Sequence, residues 1–283
     1  MSNRPSGHVA RSTVRPNHET AGPAPIRTFL RTSDGIAVDS VYDPGPVVYE
    51  ASPCAATPPS AAPVFVVAHG FTGDVDRPHV RRAAGVLARY GAVVTFSFRG
   101  HGASGGRSTV GDKEVLDLDA AVEWARGLGH TRVVTVGFSM GGSVVLRHAA
   151  LRPGTVDAVV AVSAPARWYY RGTAPMRRLH WLVTRPAGRL VGRYGLRTRI
   201  HHRQWDPVPL SPVQAVPRIA PVPLLIVHGD RDGYFPLDHP RMLAEAAGEH
   251  GELWVEPGMG HAENAADDAL LGRIGDWAAR RAG

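Results

Sequence analysis

Residues 132–150 read RVVTVGFSMGGSVVLRHAA. The first five are rich in β-branched side chains and read as a buried strand, while from Gly142 onward Val144, Val145, His148 and Ala149 recur at helical spacing. Between them lies GFSMG, residues 137–141. A chain that passes straight from a strand into a helix needs glycine where side chains would collide, and it leaves the central Ser139 exposed at the tip of the turn. The backbone N–H groups at the helix start, at its positive dipole end, face whatever that hydroxyl attacks. The local geometry suits a nucleophile. A strand before and an amphipathic helix after are what separate it from a glycine-rich turn with an idle serine.

The flanking chain supplies a sheet for this turn to sit on. Residues 64–68, VFVVA, form an unbroken apolar run that reads as a strand buried on both faces, and it ends in His69-Gly70-Phe71-Thr72-Gly73. A glycine-flanked loop at the carboxyl end of a central strand is where an open α/β sheet places its binding groups, so the Phe71 N–H is a candidate donor to a substrate oxygen. Helical spacing follows at 78–90, then a strand at 92–96, the loop Arg99-Gly100-His101-Gly102-Ala103-Ser104, and an amphipathic helix at 114–126. After the central stretch come apolar strands at 156–162, 222–227 and 253–255, with helices at 239–247 and 264–281. Strands alternating with helices predict an α/β fold with a mostly parallel central sheet covered on both faces. Ahead of it all, Ser33-Asp34-Gly35 between apolar residues reads as a hairpin turn.

A serine hydroxyl is a poor nucleophile at neutral pH. It needs a base, and the base needs an acid to fix its tautomer. Two C-terminal loops offer them. VHGDRDGYFP, 227–236, follows a strand and carries Asp230 and Asp232; EPGMGHAEN, 256–264, follows the last strand and carries His261. The order Ser, Asp, His is that of the hydrolases with a strand–turn–helix nucleophile and differs from both well-known protease orders.

The 283 residues are 43% hydrophobic and 20% charged, which fits one domain with an insertion. A single cysteine, Cys54, lies in the Pro-rich loop 44–63 and excludes an intrachain disulfide or a thiolate metal site. No apolar run approaches the length of a membrane span, and residues 1–27 read as a disordered tail without an apolar leader segment, so a cytoplasmic location is expected. The net charge of +7 comes almost wholly from arginine, Lys113 being the sole lysine. No helix-turn-helix or other nucleic-acid pattern accompanies it, so a nucleic-acid partner is not expected. His201, His202 and His228 lack partners at ligand spacing, and neither a metal nor a cofactor is expected.

Residues 164–215 break the strand–helix rhythm. They read as a helical cap, with helices at 173–184 and 186–194, inserted in a core formed by 28–163 and 216–283. In the second helix Ala187, Leu190, Val191 and Tyr194 form an apolar stripe, expected to lie on the open sheet edge above Ser139. The cap holds ten arginines against one acid, Asp206. Arg185, Arg189 and Arg193 are spaced to share one helix face, read as solvated, with contact to an anionic surface or substrate as the alternative.

Taken together, SDGIAV, HGFTG, FRGHGAS, GFSMGG, HGDRDGYFP and GMGH, in that order from residue 28 to the C-terminus, resemble the serine α/β-hydrolase superfamily. The branch they resemble holds capped esterases, monoacylglycerol-lipase-like enzymes and the serine-aminopeptidase-like "hydrolase 4" group. The resemblance implies Ser139 as nucleophile, His261 as general base and then acid, and Asp232 rather than Asp230 as its orienter. It places the oxyanion hole at the backbone N–H groups of Phe71 and Met140, and makes His69 and His101 structural. Ser97, where members often have Asp, is a departure confined to a loop contact. The expected activity is hydrolysis of a small-molecule carboxylic ester through an acyl-enzyme. The same residues serve acyl transfer, C–C bond cleavage or peptide and amide hydrolysis, and a non-catalytic ligand receptor on the same fold is the reading from a different class.

Overall fold

A computed structural model describes residues 24–45 and 62–282. The expected tail as far as Pro23 and the part of the Pro-rich loop that carries Cys54 lie outside the described residues. Within them one sheet forms from β1 (Ile26–Arg31), β2 (Ala37–Asp43), β3 (Val64–Ala68), β4 (Ala92–Phe96), β5 (Val133–Phe138), β6 (Ala158–Val162), β7 (Leu224–Gly229) and β8 (Gly251–Glu256). Their order is β1-β2-β4-β3-β5-β6-β7-β8; β2 runs antiparallel to both neighbours and the other pairings are parallel. This is the expected α/β hydrolase fold. β1 starts two residues before the expected boundary, so Ile26 and Arg27 belong to the sheet, with Arg27 donating to Asp39 at 2.7 Å and Asp76 at 2.9 Å.

Alternation explains why the central strands β3 to β7 are almost wholly apolar. In β3, Val64, Val66 and Ala68 enter one core with α2 (Glu114–Gly127) and α3 (Met140–Leu151), whereas Phe65 and Val67 enter the other with α1 (Pro78–Leu87). With helices on both faces, neither set of side chains can be polar. Two short helices, α4 (Ala174–Thr184) and α5 (Pro186–Gly195), occupy the segment between β6 and β7, followed by α6 (Pro212–Ala215). Beyond β7 come α7 (Asp238–Ala247), α8 (Ala262–Ala265) and α9 (Asp268–Arg281). The helix expected over 264–281 is thus two, because the Asp267 side chain accepts from the Leu270 N–H at 2.8 Å and starts a fresh N-terminus.

The α5 stripe is not where its pattern implied. Leu190, Val191 and Tyr194 are 57%, 49% and 74% exposed, and the buried positions of this helix are Gly188 and Gly192. A Cβ on Gly188 would stand 2.5 Å from the Trp181 carbonyl oxygen, so glycine lets α5 lie directly on the α4 backbone and the bulky stripe faces outward. The strandless reading of this segment also needs amending: Thr198 and Ile200 form β-bridges to His101 and Ser108, pinning the insertion to the loop after β4.

That loop is fixed by Arg99. Its Nε and Nη2 donate to Asp117 Oδ1 at 2.9 and 2.8 Å, its backbone N–H to Oδ2 at 2.8 Å, and Nη1 to Asp34 of the hairpin at 2.8 Å. Ser97, despite the departure noted in sequence, still ties the loop, accepting from the Val75 N–H through Oγ and from Ser104 Oγ through its carbonyl at 2.5 Å. Asp117 is fully buried. Arg99→Met strands its carboxylate and is expected to lower the unfolding free energy by about 3–5 kcal/mol in urea titrations, with Asp117→Leu in the same chain restoring much of the loss. An unchanged midpoint in the single variant would contradict this account.

Candidate active site

The turn between β5 and α3 holds Ser139 at φ 51° and ψ −111°, a region sparsely populated by residues with a side chain. Its N–H donates to the Val162 carbonyl at 2.9 Å, fixing the strained residue between β5 and β6. Gly141 makes the turn possible: a Cβ there would lie 2.1 Å from the Ala68 carbonyl oxygen at the end of β3.

Three loops at the carboxyl edge converge on this serine. His261 follows β8, with Nε2 at 2.9 Å from Ser139 Oγ and Nδ1 at 2.7 Å from Asp232 Oδ2. Asp232 follows β7, and its Oδ1 accepts the N–H groups of Tyr234 and Phe235 at 2.8 and 3.1 Å. Burial works to raise the Asp232 pKa, but the His261 hydrogen bond and charge and the two backbone donors outweigh it and hold the carboxyl below its usual range. An ionised Asp232 keeps the imidazole proton on Nδ1. The Nε2 lone pair is then free to take the serine proton. Asp230 does something else: exposed on the same loop, it accepts from the Gly258 N–H at 2.6 Å and braces the turn before His261.

Phe71 and Met140 line the same cavity as Ser139, and neither backbone N–H has an acceptor among the described residues. The Phe71 loop is held by a residue that sequence reading passed over. Glu263, buried two positions after His261, accepts the Gly70 N–H at 2.9 Å through Oε1, while Arg82 donates to its carbonyl oxygen at 2.9 Å. An acid in the first turn of a helix after GMGH was the available signal, and it is indistinguishable from ordinary helix-end electrostatics. Tyr234 was missed too; its ring stacks on His261 with centroids 4.2 Å apart.

His69, His228 and His239 are held by backbone groups away from the serine. His69 donates from Nδ1 to the Gly70 carbonyl at 2.7 Å and accepts the Phe98 N–H at Nε2 at 3.0 Å. His228 donates to the Phe235 carbonyl, and His239 accepts the Ala166 N–H at Nδ1. Among the described residues no group of His, Cys, Asp and Glu is arranged to hold a metal ion.

Over Ser139 lies a cavity of about 350 Å³. It is lined by Met140 and Phe71, by Met176, Leu179 and Val183 of α4, and by Trp168 and Trp205, whose ring centroids lie 5.0 Å apart. Of the spaced arginines of α5, Arg189 turns toward the cavity while Arg185 and Arg193 are exposed.

With this geometry in view, residues 64–271 match the sequence model of the alpha/beta hydrolase family. The chain belongs to that family. Among its relatives is a monoacylglycerol lipase of Mycolicibacterium smegmatis, 30% identical over 239 residues that span 70% of this chain and 80% of the relative. Solved structures with the same fold include the esterase Pf2001 of Pyrococcus furiosus, with TM-score 0.70 and 23% identity over 92% of each chain. Another is a serine hydrolase without lid from Xanthomonas campestris, with TM-score 0.60 and 20% identity over 92% of this chain and 96% of that one. In this chain α4 lines the cavity through Met176, Leu179, His180 and Val183, and α5 through Arg189.

Burial pushes the pKa of His69 down to about 3 and those of His101 and His239 down to about 4. Each is neutral when folded and takes up a proton only on unfolding as pH falls below the ordinary histidine value, so stability is lost with acidity. By pH 5 this amounts to about 2 kcal/mol for each ring, and the melting temperature is expected to fall by roughly 10 °C between pH 7 and pH 5. Calorimetric scans showing no fall would contradict the neutral assignment.

Proposed function

We propose that the protein hydrolyses carboxylic esters through an acyl-enzyme on Ser139. What carries this reading is the hydrogen-bonded file of Asp232, His261 and Ser139, at 2.7 and 2.9 Å, at the tip of a strained turn. As Ser139 Oγ attacks the ester carbonyl, its proton passes to His261 Nε2, and the imidazolium that results is stabilised by ionised Asp232. The oxyanion develops beside the Phe71 and Met140 N–H groups. Collapse of the tetrahedral intermediate breaks the C–O bond, with His261 returning the proton to the leaving alcohol. A water deprotonated by Nε2 then attacks the acyl carbonyl and regenerates Ser139. No step calls for a metal or cofactor.

The insertion 164–215 acts in this reading as a cap that walls the substrate cavity and excludes water from it. An apolar chamber of about 350 Å³ suits a small to medium acyl chain, and the relative named a monoacylglycerol lipase supports a carboxylic ester as the scissile group.

A fluorophosphonate probe with intact-mass readout is expected to add once to the wild-type chain and not to Ser139→Ala, whose turnover of p-nitrophenyl esters falls by a factor on the order of 10⁴ or more. Label retained in that variant sinks the assignment of the nucleophile. A labelled Ser139 with no ester cleaved would shift the reaction to acyl transfer. Glu263, as a positioning residue, gives a separate expectation: Glu263→Ala lowers kcat by roughly tenfold with KM little changed, because the Phe71 donor loses its anchor, while Glu263→Gln keeps an acceptor for Gly70 and retains most of the rate.

A further inference from the structure

The cavity over Ser139 combines an apolar interior with a basic mouth. Four arginines, 167, 171, 189 and 203, and three histidines, 180, 201 and 202, line it, and among the described residues no Asp or Glu does. Arginine-rich composition does not account for it alone, since about half of the described arginines outside the insertion meet a carboxylate, Arg27, Arg82, Arg99, Arg126, Arg152 and Arg273 among them. At the mouth only Arg167 does, with Asp238 at 2.7 Å. Arg189 donates to the Thr184 carbonyl at 2.9 Å, which aims the guanidinium without neutralising it. Arg171 and Arg203 have neither a carboxylate within ion-pair distance nor a hydrogen-bond acceptor for the guanidinium among the described residues.

The positive field is felt by the rings beside it. His180 is pushed below its ordinary pKa by burial and then by Arg171. His202, stacked on His201 with centroids 5.1 Å apart, is pushed down by loss of solvent and then by the charges of His201, Arg203, Arg107 and Arg189. Unpaired cations that repel one another at the rim of an apolar chamber are relieved by an anion that binds between them.

We infer that the substrate is an amphiphilic ester whose apolar arm crosses the cavity and ends in an anionic group, a carboxylate or phosphate, held at the mouth by Arg171, Arg203 and Arg189. This rests on the ester-hydrolase reading and narrows it. A neutral ester would fill the apolar walls and leave the guanidinium groups unused; an anionic terminus several bonds from the scissile carbonyl uses both.

The test uses matched pairs on the Ser139→Ala chain, where binding is read by calorimetry without turnover. Mono-p-nitrophenyl suberate against p-nitrophenyl octanoate places the anion on the acyl arm; octanoylglycerol phosphate against octanoylglycerol places it on the alcohol arm. In at least one pair the anionic member is expected to bind about tenfold tighter at low salt, as two or three charge-assisted hydrogen bonds allow, and to lose most of that advantage at roughly 0.5 M NaCl. Adding Arg171→Gln and Arg203→Gln together is expected to bring the preference close to unity. Equal binding in both pairs overturns the inference, and a preference that survives the two arginine substitutions overturns its assignment to this mouth. Wild-type turnover of the neutral octanoate separates the two readings: cleavage without any anion preference leaves the hydrolase standing and removes the anionic substrate, whereas anion-selective binding without cleavage of any of the four does the reverse.

Discussion

The approach of Gly141 to the carbonyl end of β3 is the constraint on which the site depends. A side chain at 141 would overlap the Ala68 oxygen at 2.1 Å, so the turn that presents Ser139 and the strand that leads into Phe71 can come together only across a glycine. That approach brings the serine hydroxyl and the Phe71 N–H to one cavity. The strain at Ser139 is contained by the sheet on one side, through Val162, and by the first turn of α3 on the other. Parallel strands add the rest, since every loop after a parallel strand emerges on the same edge.

Loops at that edge are fastened to one another by charge as much as by packing. Glu263 joins the loop after β8 to the loop after β3, Asp230 clasps the loop after β7 to the turn before His261, and Arg99 joins the loop after β4 to the hairpin and α2. Buried ion pairs contribute little net stability because desolvation offsets the attraction. Their effect is on geometry: each carboxylate accepts backbone N–H groups and so fixes a loop conformation that apolar contacts would leave loose. The site residues are thus positioned by a second set of charged groups, one loop removed from the cavity.

The insertion follows different rules. Its two helices meet through glycine, α5 presents a bulky apolar stripe outward, and α4 contributes Met176, Leu179 and Val183 to the cavity lining. It is also where positive charge is left without partners, which gives the cavity a polarity that the apolar walls alone would not.

What the sequence determined by itself was whatever follows from spacing. Alternating apolar strands and helical periods gave a doubly covered, mostly parallel sheet, because both faces of each strand have to be apolar when helices cover both. GFSMG between a strand and a helix located the turn, and the histidine and aspartate at strand ends completed the set of candidates, since the carboxyl edge is common to all parallel strands. Spacing alone left Asp230 and Asp232 open, since both lie on one loop; the family resemblance pointed to Asp232, and in the structure Asp232 meets His261 while Asp230 meets the Gly258 N–H. Likewise the α5 stripe was legible as a stripe but not as an outward one, because hydrophobic periodicity defines a face without saying what it packs on, and the close approach through Gly188 reversed it. Glu263 and the unpaired arginines at the cavity mouth depend on contacts between residues far apart in the chain, which tertiary structure alone decides.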